Sequence, residues 1–312
     1  MASIFNKAKT GAQPVGRPPA AVELSADGAL AAALPGAGQP PVYAFAQLPA
    51  EALIPGIEHT NLRAPQAVAE AIRTALDQVS PRSRSVTLIV PDTTVRVFVL
   101  DFDTLSSKAA EAIPVLRFRL RKMVPFDVEQ ASISYQILSQ SKSECKVLTA
   151  VMPGPILAEY EAAVRAADYE PGAVLPSSLA ALEIAGSYES VLAANLSDAA
   201  ITTLIATGQD LLLYRTLELP ESHEERLAEI RRNIAVAAAY YEDKLGAPPR
   251  ALHYMGNRDA HEFAGWLDEP NLSVVELAER PASGVLTPLG HESIAAVAGA
   301  LAVGNVEAGA AR

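Results

Sequence analysis

Apolar positions along the chain fall into continuous runs, alternating runs and runs of helical period. Three short apolar segments come first, at 20–24, 29–34 and 42–48. Asp27-Gly28 between the first two predicts a hairpin turn, because both residue types tolerate positive φ. Residues 49–61 read as a loop. Val68, Ile72, Leu76 and Val79 recur at helical spacing and predict a helix over 65–79, ended by Ser80-Pro81. The unbroken run 86–90 marks a strand covered on both faces. A strand at 95–102 follows, then a helix over 106–124 whose Ile113, Leu116 and Leu120 line its buried face, with Met123 or Val124 continuing it. Pro114 inside that helix predicts a kink or a late start.

The second stretch repeats this alternation. Strands are predicted at 131–138 and 146–151, a helix over 155–167, a short strand at 173–175, and a helix from 177 to about 185 that Ser177 caps and Gly186 stops. Strands at 191–196, 200–206 and 210–219 follow, turning at Gly208-Gln209. Ser222 with Glu225 has the spacing of a capping box for a helix carrying Leu227, Ile230, Ile234, Tyr241 and Leu245 on one face. Gly246 and Pro248-Pro249 end it. A strand at 250–255, a helix over 259–267, a strand at 273–277 and a helix from 292 to 301 close the chain. The reading is therefore α/β, with a tail over 1–16, a first unit over 17–187 and a second over 188–312. A piece inserted at about 92–170 forms a small α/β subdomain of its own.

Composition narrows the function. A net charge of −11 disfavours nucleic acid as a partner, because phosphate recognition needs a basic footprint. Cys145 is the single cysteine, which excludes an intramolecular disulfide and any cysteine-built metal site; it reads as a core thiol in a strand. No segment approaches the ~20 apolar residues that span a bilayer, and the N-terminus lacks the apolar core of a secretory signal, so a cytoplasmic location is expected. The tail carries Lys7 and Lys9 among glycines and prolines, with Arg17 just beyond it, and no acidic residue; it reads as a mobile end. His59, His223, His253, His261 and His291 are dispersed, and Ser177-Ser178 lacks the setting of a nucleophile elbow. No acid–base pair stands at readable spacing.

The run VTLIVPD, VRVFVLDF, a helix ending at Val124-Pro125-Phe126, then ASISYQIL is the most specific feature of the sequence. Together with the stretch from Leu227 through Tyr240-Tyr241 to Gly256 and the closing helix, it resembles the PilM-type type IV pilus assembly proteins. These are FtsA/PilM-like members of the actin-like superfamily. The resemblance runs from about Ala21 to Leu301. It implies an actin-like, ribonuclease H-like fold of two domains with an inserted subdomain.

The resemblance also locates three nucleotide stretches, each altered here. Glu23 stands where the metal-side aspartate of the first phosphate turn belongs, with no glycine two residues after it. Asn195 replaces the aspartate of the second turn, and Leu196-Ser197 the usual Ile-Gly. Gly256-Asn257 keeps one glycine of an adenosine-contacting pair. Phosphate cradles need backbone amides at close approach, and magnesium needs a hard anion. The expectation is a pseudo-ATPase: no cofactor is bound, Leu24, Leu196 and Met255 occupy or rim a cleft that is narrow or filled, and ATP with magnesium is the alternative.

What the resemblance implies functionally is a cytoplasmic scaffold at the inner face of the inner membrane. It would dock the N-terminal cytoplasmic peptide of a PilN-like membrane protein, associate with the membrane through that partner, and connect to pilus motor ATPases. An actin-like ATPase and a GspL-like secretion domain are the alternatives. The peptide is expected in a groove on the inserted subdomain lined by Val97, Val99, Leu116, Leu120 and Phe126. Arg117 and Arg121, at a helix end that also holds Arg119 and Lys122, would steer it.

Overall fold

The computed structural model describes residues 17–310 apart from 37, 142, 186–189 and 209. The first unit opens with β1 (Ala20–Leu24), β2 (Gly28–Ala33) and β3 (Val42–Gln47). Then come α1 (Pro65–Val79) and β4 (Ser85–Val90). The inserted piece comprises β5 (Arg96–Phe102), α2 (Ala109–Leu120), β6 (Ala131–Gln140), β7 (Cys145–Pro153) and α3 (Gly154–Ala166). β8 (Glu170–Pro176) and α4 (Ser177–Ala185) return to the first unit. The second unit holds β9 (Ser190–Leu196), β10 (Ala200–Thr207), β11 (Asp210–Glu218), α5 (His223–Leu245), β12 (Ala251–Gly256), α6 (Ala260–Leu267) and β13 (Ser273–Glu276). α7 (Ala295–Ala310) closes the chain.

The two large sheets share one plan. Their strand orders are β3-β2-β1-β4-β8 and β11-β10-β9-β12-β13. In each, the first three strands pair antiparallel and the last two join in parallel. The crossover between the parallel strands differs. In the second unit it is the short α6. In the first it is the whole inserted piece, whose antiparallel sheet is ordered β5-β7-β6.

Alternation gives that small sheet two buried faces. Leu100, Cys145, Val147 and Val151 pack under Ala112, Leu116 and Leu120 of α2 in a core of their own. Val97, Leu148, Ala150 and Met152 point the other way, into the main core. The Cys145 thiol is buried there, as its strand pattern predicts. Burying a leucine such as Leu116 or Leu120 contributes roughly 2–3 kcal/mol, so α2 is held firmly by its inner face.

Four local differences from the sequence reading have physical causes. α2 starts at Ala109, three residues later than the 106 start, which brings Pro114 nearly one turn closer to the N-terminus of the helix, the late start that Pro114 suggested. Ser222 makes no side-chain cap on α5, so the capping box does not form; Asp259 does cap α6, accepting from the amides of His261 and Glu262. Gly28 is needed for space rather than for positive φ, since a side chain there would strike the Phe45 ring and the Ala46 carbonyl. The closing helix begins at Ala295 and packs on α4, β1 and β2, so the end of the chain, placed with the second unit by its order, joins the first. Gly299 allows this contact, because a Cβ there would collide with the Ala180 backbone. The expected stop at Gly186 and the Gln209 half of the turn lie outside the described residues. Among those residues no helix is long and apolar enough to cross a membrane.

Candidate functional site

The cleft between the units is built by matching strand ends. Glu23-Leu24-Ser25 leaves β1 and Asn195-Leu196-Ser197 leaves β9. In the first turn the Ser25 hydroxyl accepts from the amides of Asp27 and Gly28, each at 3.2 Å. In the second, the Ser197 hydroxyl accepts from the Ala200 amide at 3.1 Å. A serine hydroxyl thus accepts from backbone amides in each of the two connections.

Behind the turns lies a buried polar network. Ser177 Oγ, at the start of α4, donates to Glu23 Oε1 at 2.5 Å. Asn195 Nδ2 donates across the cleft to Asp92 Oδ2 at 3.1 Å and lies 3.2–3.3 Å from the hydroxyls of Ser178 and Ser177. Asp92 sits in the single turn Asp92–Thr94 after β4 and is buried. Its Oδ1 accepts from the Ser178 amide at 3.0 Å and from the Tyr214 hydroxyl at 2.8 Å. Its Oδ2 accepts from Ser178 Oγ as well. One carboxylate therefore gathers donors from α4, β9 and β11 and is fully satisfied, which is what keeps a buried charge affordable.

At the cleft mouth Asn257 Nδ2 bridges the units, lying 3.4 Å from Asp27 and 3.2 Å from Asp198. Arg258 pairs with Asp198 at 2.9 Å. Gly256 is required by packing: a Cβ would stand 2.7 Å from the Leu196 carbonyl and 2.5 Å from the Tyr254 hydroxyl.

The remaining space is about 140 Å³, against ~300–1,000 Å³ for typical small-molecule sites. Leu24, Leu196 and Met255 line it and are buried. Glu23, Asp27, Asp92, Asp198 and Glu292 line it too, with no lysine or arginine among the described residues. Burial pushes the Glu23 carboxyl up to about 7; the Ser177 hydrogen bond opposes this, and the charges of Asp92 and Glu292 add to it. Burial likewise raises Glu292 and lifts Tyr214 well above its ordinary value, the latter with help from Asp92. Among the described residues no group of three or more His, Cys, Asp or Glu is placed to hold a metal ion. A second cavity, about 330 Å³, adjoins the cleft and is lined by His223, Arg226, Asn257, Arg258 and Trp266 among others.

Glu23, Asn195, Gly256 and Asn257 are thus brought together at one cleft. Asp92, Ser178 and Tyr214 complete it. Asp92 was visible only as the end of a strand, and nothing in the local pattern around Tyr214 points to the cleft.

The five apolar residues expected to line a groove do not share a face. Val97 and Val99 pack toward the main core, while Leu116, Leu120 and Phe126 pack on the opposite side of the small sheet. Leu116 and Leu120 are fully buried. Period two along β5 turns Val97 and Val99 away from the Leu100 face that α2 covers. The cations differ from expectation too. Arg117 donates to the Val128 carbonyl and Arg121 pairs with Glu129. Among the described residues Arg119 and Lys122 have no such partner.

No protein-family model matches the sequence, and a search of curated proteins gives no match. Solved structures do match. A chain of a PilM–PilN type IV pilus biogenesis complex superposes with a TM-score of 0.72 at 16% identity, over 93% of this chain and 99% of that one. A Bacteroides thetaiotaomicron protein of actin-like ATPase fold and unknown function gives 0.50 at 13% identity, over 91% and 94%. The cytoplasmic domain of EpsL, an inner membrane component of the Vibrio cholerae type II secretion system, gives 0.48 at 14% identity, over 85% and 89%. The chain has the actin-like fold, with the architecture of the chain in the pilus complex.

Proposed function

We propose that this chain is a scaffold of a type IV pilus or related secretion assembly, working at the inner face of the inner membrane. In this reading it docks the N-terminal cytoplasmic peptide of a PilN-like membrane protein and relays that contact to motor ATPases. The observation that carries the proposal is the extent of the fold likeness. It covers 93% of the chain, enough to take in the inserted sheet that distinguishes this architecture from a plain pair of sheets. The small space left in the cleft supports it. Turn amides are taken by Ser25 and Ser197, the walls are anionic, and side chains hold the units together without a nucleotide.

The docking face in this reading is the side of the small sheet turned away from α2. There Val99 and Leu138 are half-buried beside the main core, and β6 forms the outer edge. A peptide laid along that edge would gain backbone hydrogen bonds for affinity and side-chain contacts for specificity. The test is a titration of the full chain with N-terminal peptides of membrane proteins encoded by adjacent genes. Saturable binding is expected, weakened at least tenfold by Val99→Asp and unchanged by Phe118→Ser. Absence of binding for every such peptide, or loss only with changes beyond Ser190, would overturn it.

The rival reading is an actin-like ATPase with an altered site. The cavity beside Arg226, Arg258 and Trp266 favours it, being large enough for a nucleobase.

A further inference from the structure

The outward face of α2 is unlike the rest of the surface. Val115, Phe118 and Arg119 of α2, and Lys122 in the turn that follows it, are all exposed, whereas Ala112, Leu116 and Leu120 are buried. Phe118 is 75% exposed, the largest value among the exposed large hydrophobic residues of the described chain, with Val115 at 46% and Met123 at 39%. An aromatic ring held in water has a large unfavourable hydration to lose on contact.

Charge marks the same stretch of chain. Between residues 108 and 129 lie Lys108, Arg117, Arg119, Arg121 and Lys122 against Glu111, Asp127 and Glu129. That is five of the chain's 25 cations and three of its 36 acids, a local positive surplus on a chain of net charge −11. Glu111 is paired with Lys108 at 3.4 Å, and Glu129 with Arg121. Neutralising pairs therefore absorb two of the acids, while Arg119 and Lys122 stay unpaired among the described residues and flank Phe118.

We propose that this face of α2 contacts an anionic lipid surface directly. Phe118, with Val115 and Met123, would enter the headgroup boundary while Arg119 and Lys122 meet lipid phosphates. Shape and charge choose this occupant. The convex outer side of a helix offers no groove to receive a peptide, whereas a lipid boundary deforms around a protruding ring and two cations. The net negative charge of the chain favours an approach through this locally basic segment over one at random. The contact is weak alone, about fivefold in partitioning per cation. It gains from a partner that already tethers the chain at the membrane, since the second contact is then intramolecular. It does not depend on which peptide, if any, the small sheet binds.

The test is co-sedimentation of the full chain with vesicles of phosphatidylcholine alone and of phosphatidylcholine with phosphatidylglycerol. Binding to the anionic vesicles only is expected, falling as salt shortens the screening length. Phe118→Ser and Lys122→Glu should each reduce it about fivefold or more, and Arg119→Glu with Lys122→Glu should abolish it. Arg121→Glu, already paired, should matter less. Circular dichroism confirms folding, which these exposed changes leave intact. No partitioning to anionic vesicles, equal binding to neutral ones, or binding that survives the double charge reversal would overturn the proposal. So would Phe118 and the two cations being needed only for retention of an acidic protein and not for vesicles.

Discussion

The two large sheets end at the cleft with the same device and one difference. β1 finishes Glu23-Leu24-Ser25 and β9 finishes Asn195-Leu196-Ser197; in both, a serine hydroxyl caps the turn that follows. Only the residue before the leucine changes kind. Glu23 accepts a hydrogen bond, while the Asn195 amide nitrogen is a donor with three oxygens within 3.1–3.3 Å, all in the same cluster at the start of α4 and at Asp92. A duplicated frame thus becomes a bonded interface because its two copies are chemically complementary rather than identical. The lesson is about closure: when the residues that would face a nucleotide bond to one another, the units are held together by side chains already in the chain.

The strongest way to break this comparison is to remove the group that both halves share. Asp92→Ala should orphan the Tyr214 hydroxyl, Asn195 and the Ser178 amide at once. It should cost about 3–5 kcal/mol, comparable to deleting one partner of a buried pair. By calorimetry the midpoint should fall roughly 6–10 °C. A fall within error of zero would mean that the network carries no load.

Asn195→Asp makes the two strand ends alike again. It should destabilise by roughly 2 kcal/mol or more, because a carboxylate replaces a donor 3.1 Å from Asp92. Unchanged or raised stability would show that the cleft tolerates the acidic pair and would reopen a metal-binding reading.

Gly256→Ala sharpens the comparison from the packing side. The added methyl meets the Leu196 carbonyl and the Tyr254 hydroxyl, so about 1–3 kcal/mol should be lost, read in the same scans. A neutral result would return Gly256 to a ligand-contacting role.

Glu23→Gln gives the smallest and most diagnostic change. Glu23 titrates near 7 in the folded chain, above its unfolded value. The folded state therefore holds the extra proton between about 4.5 and 7, and stability falls as pH rises through that window. Glutamine keeps the acceptor for Ser177 but not the titration, so the decline in midpoint between pH 5 and pH 8 should flatten. An unaltered slope would assign the pH dependence to Glu292 or Glu276, whose carboxyls burial also raises.

Much of this was legible in the sequence. The order of strands and helices followed from apolar period, and Glu23, Asn195 and Asn257 stood out as substitutions in a resembling motif. What stayed hidden depended on long-range geometry. Asp92 looks like the end of a strand until α4 and β11 place Ser178 and Tyr214 on it, from 86 and 122 residues away. That Val97 and Leu116 lie on opposite sides of the small sheet was hidden because both are apolar; only the pleat of β5, with α2 packed on one side of it, separates them. Among the described residues, the two cations of this helix end that lack such a partner are Arg119 and Lys122, since partners for Arg117 and Arg121 come from the loop after α2, which no helical spacing foretells.

The central claim is that the chain's own side chains have taken the contacts a nucleotide would make. Isothermal calorimetry of the full chain with millimolar ATP and magnesium tests it most directly. The account predicts dilution heat only and no shift in thermal midpoint, where ligand at a hundred times its dissociation constant would add about 2.7 kcal/mol. A saturable isotherm with a dissociation constant in the micromolar range would contradict it.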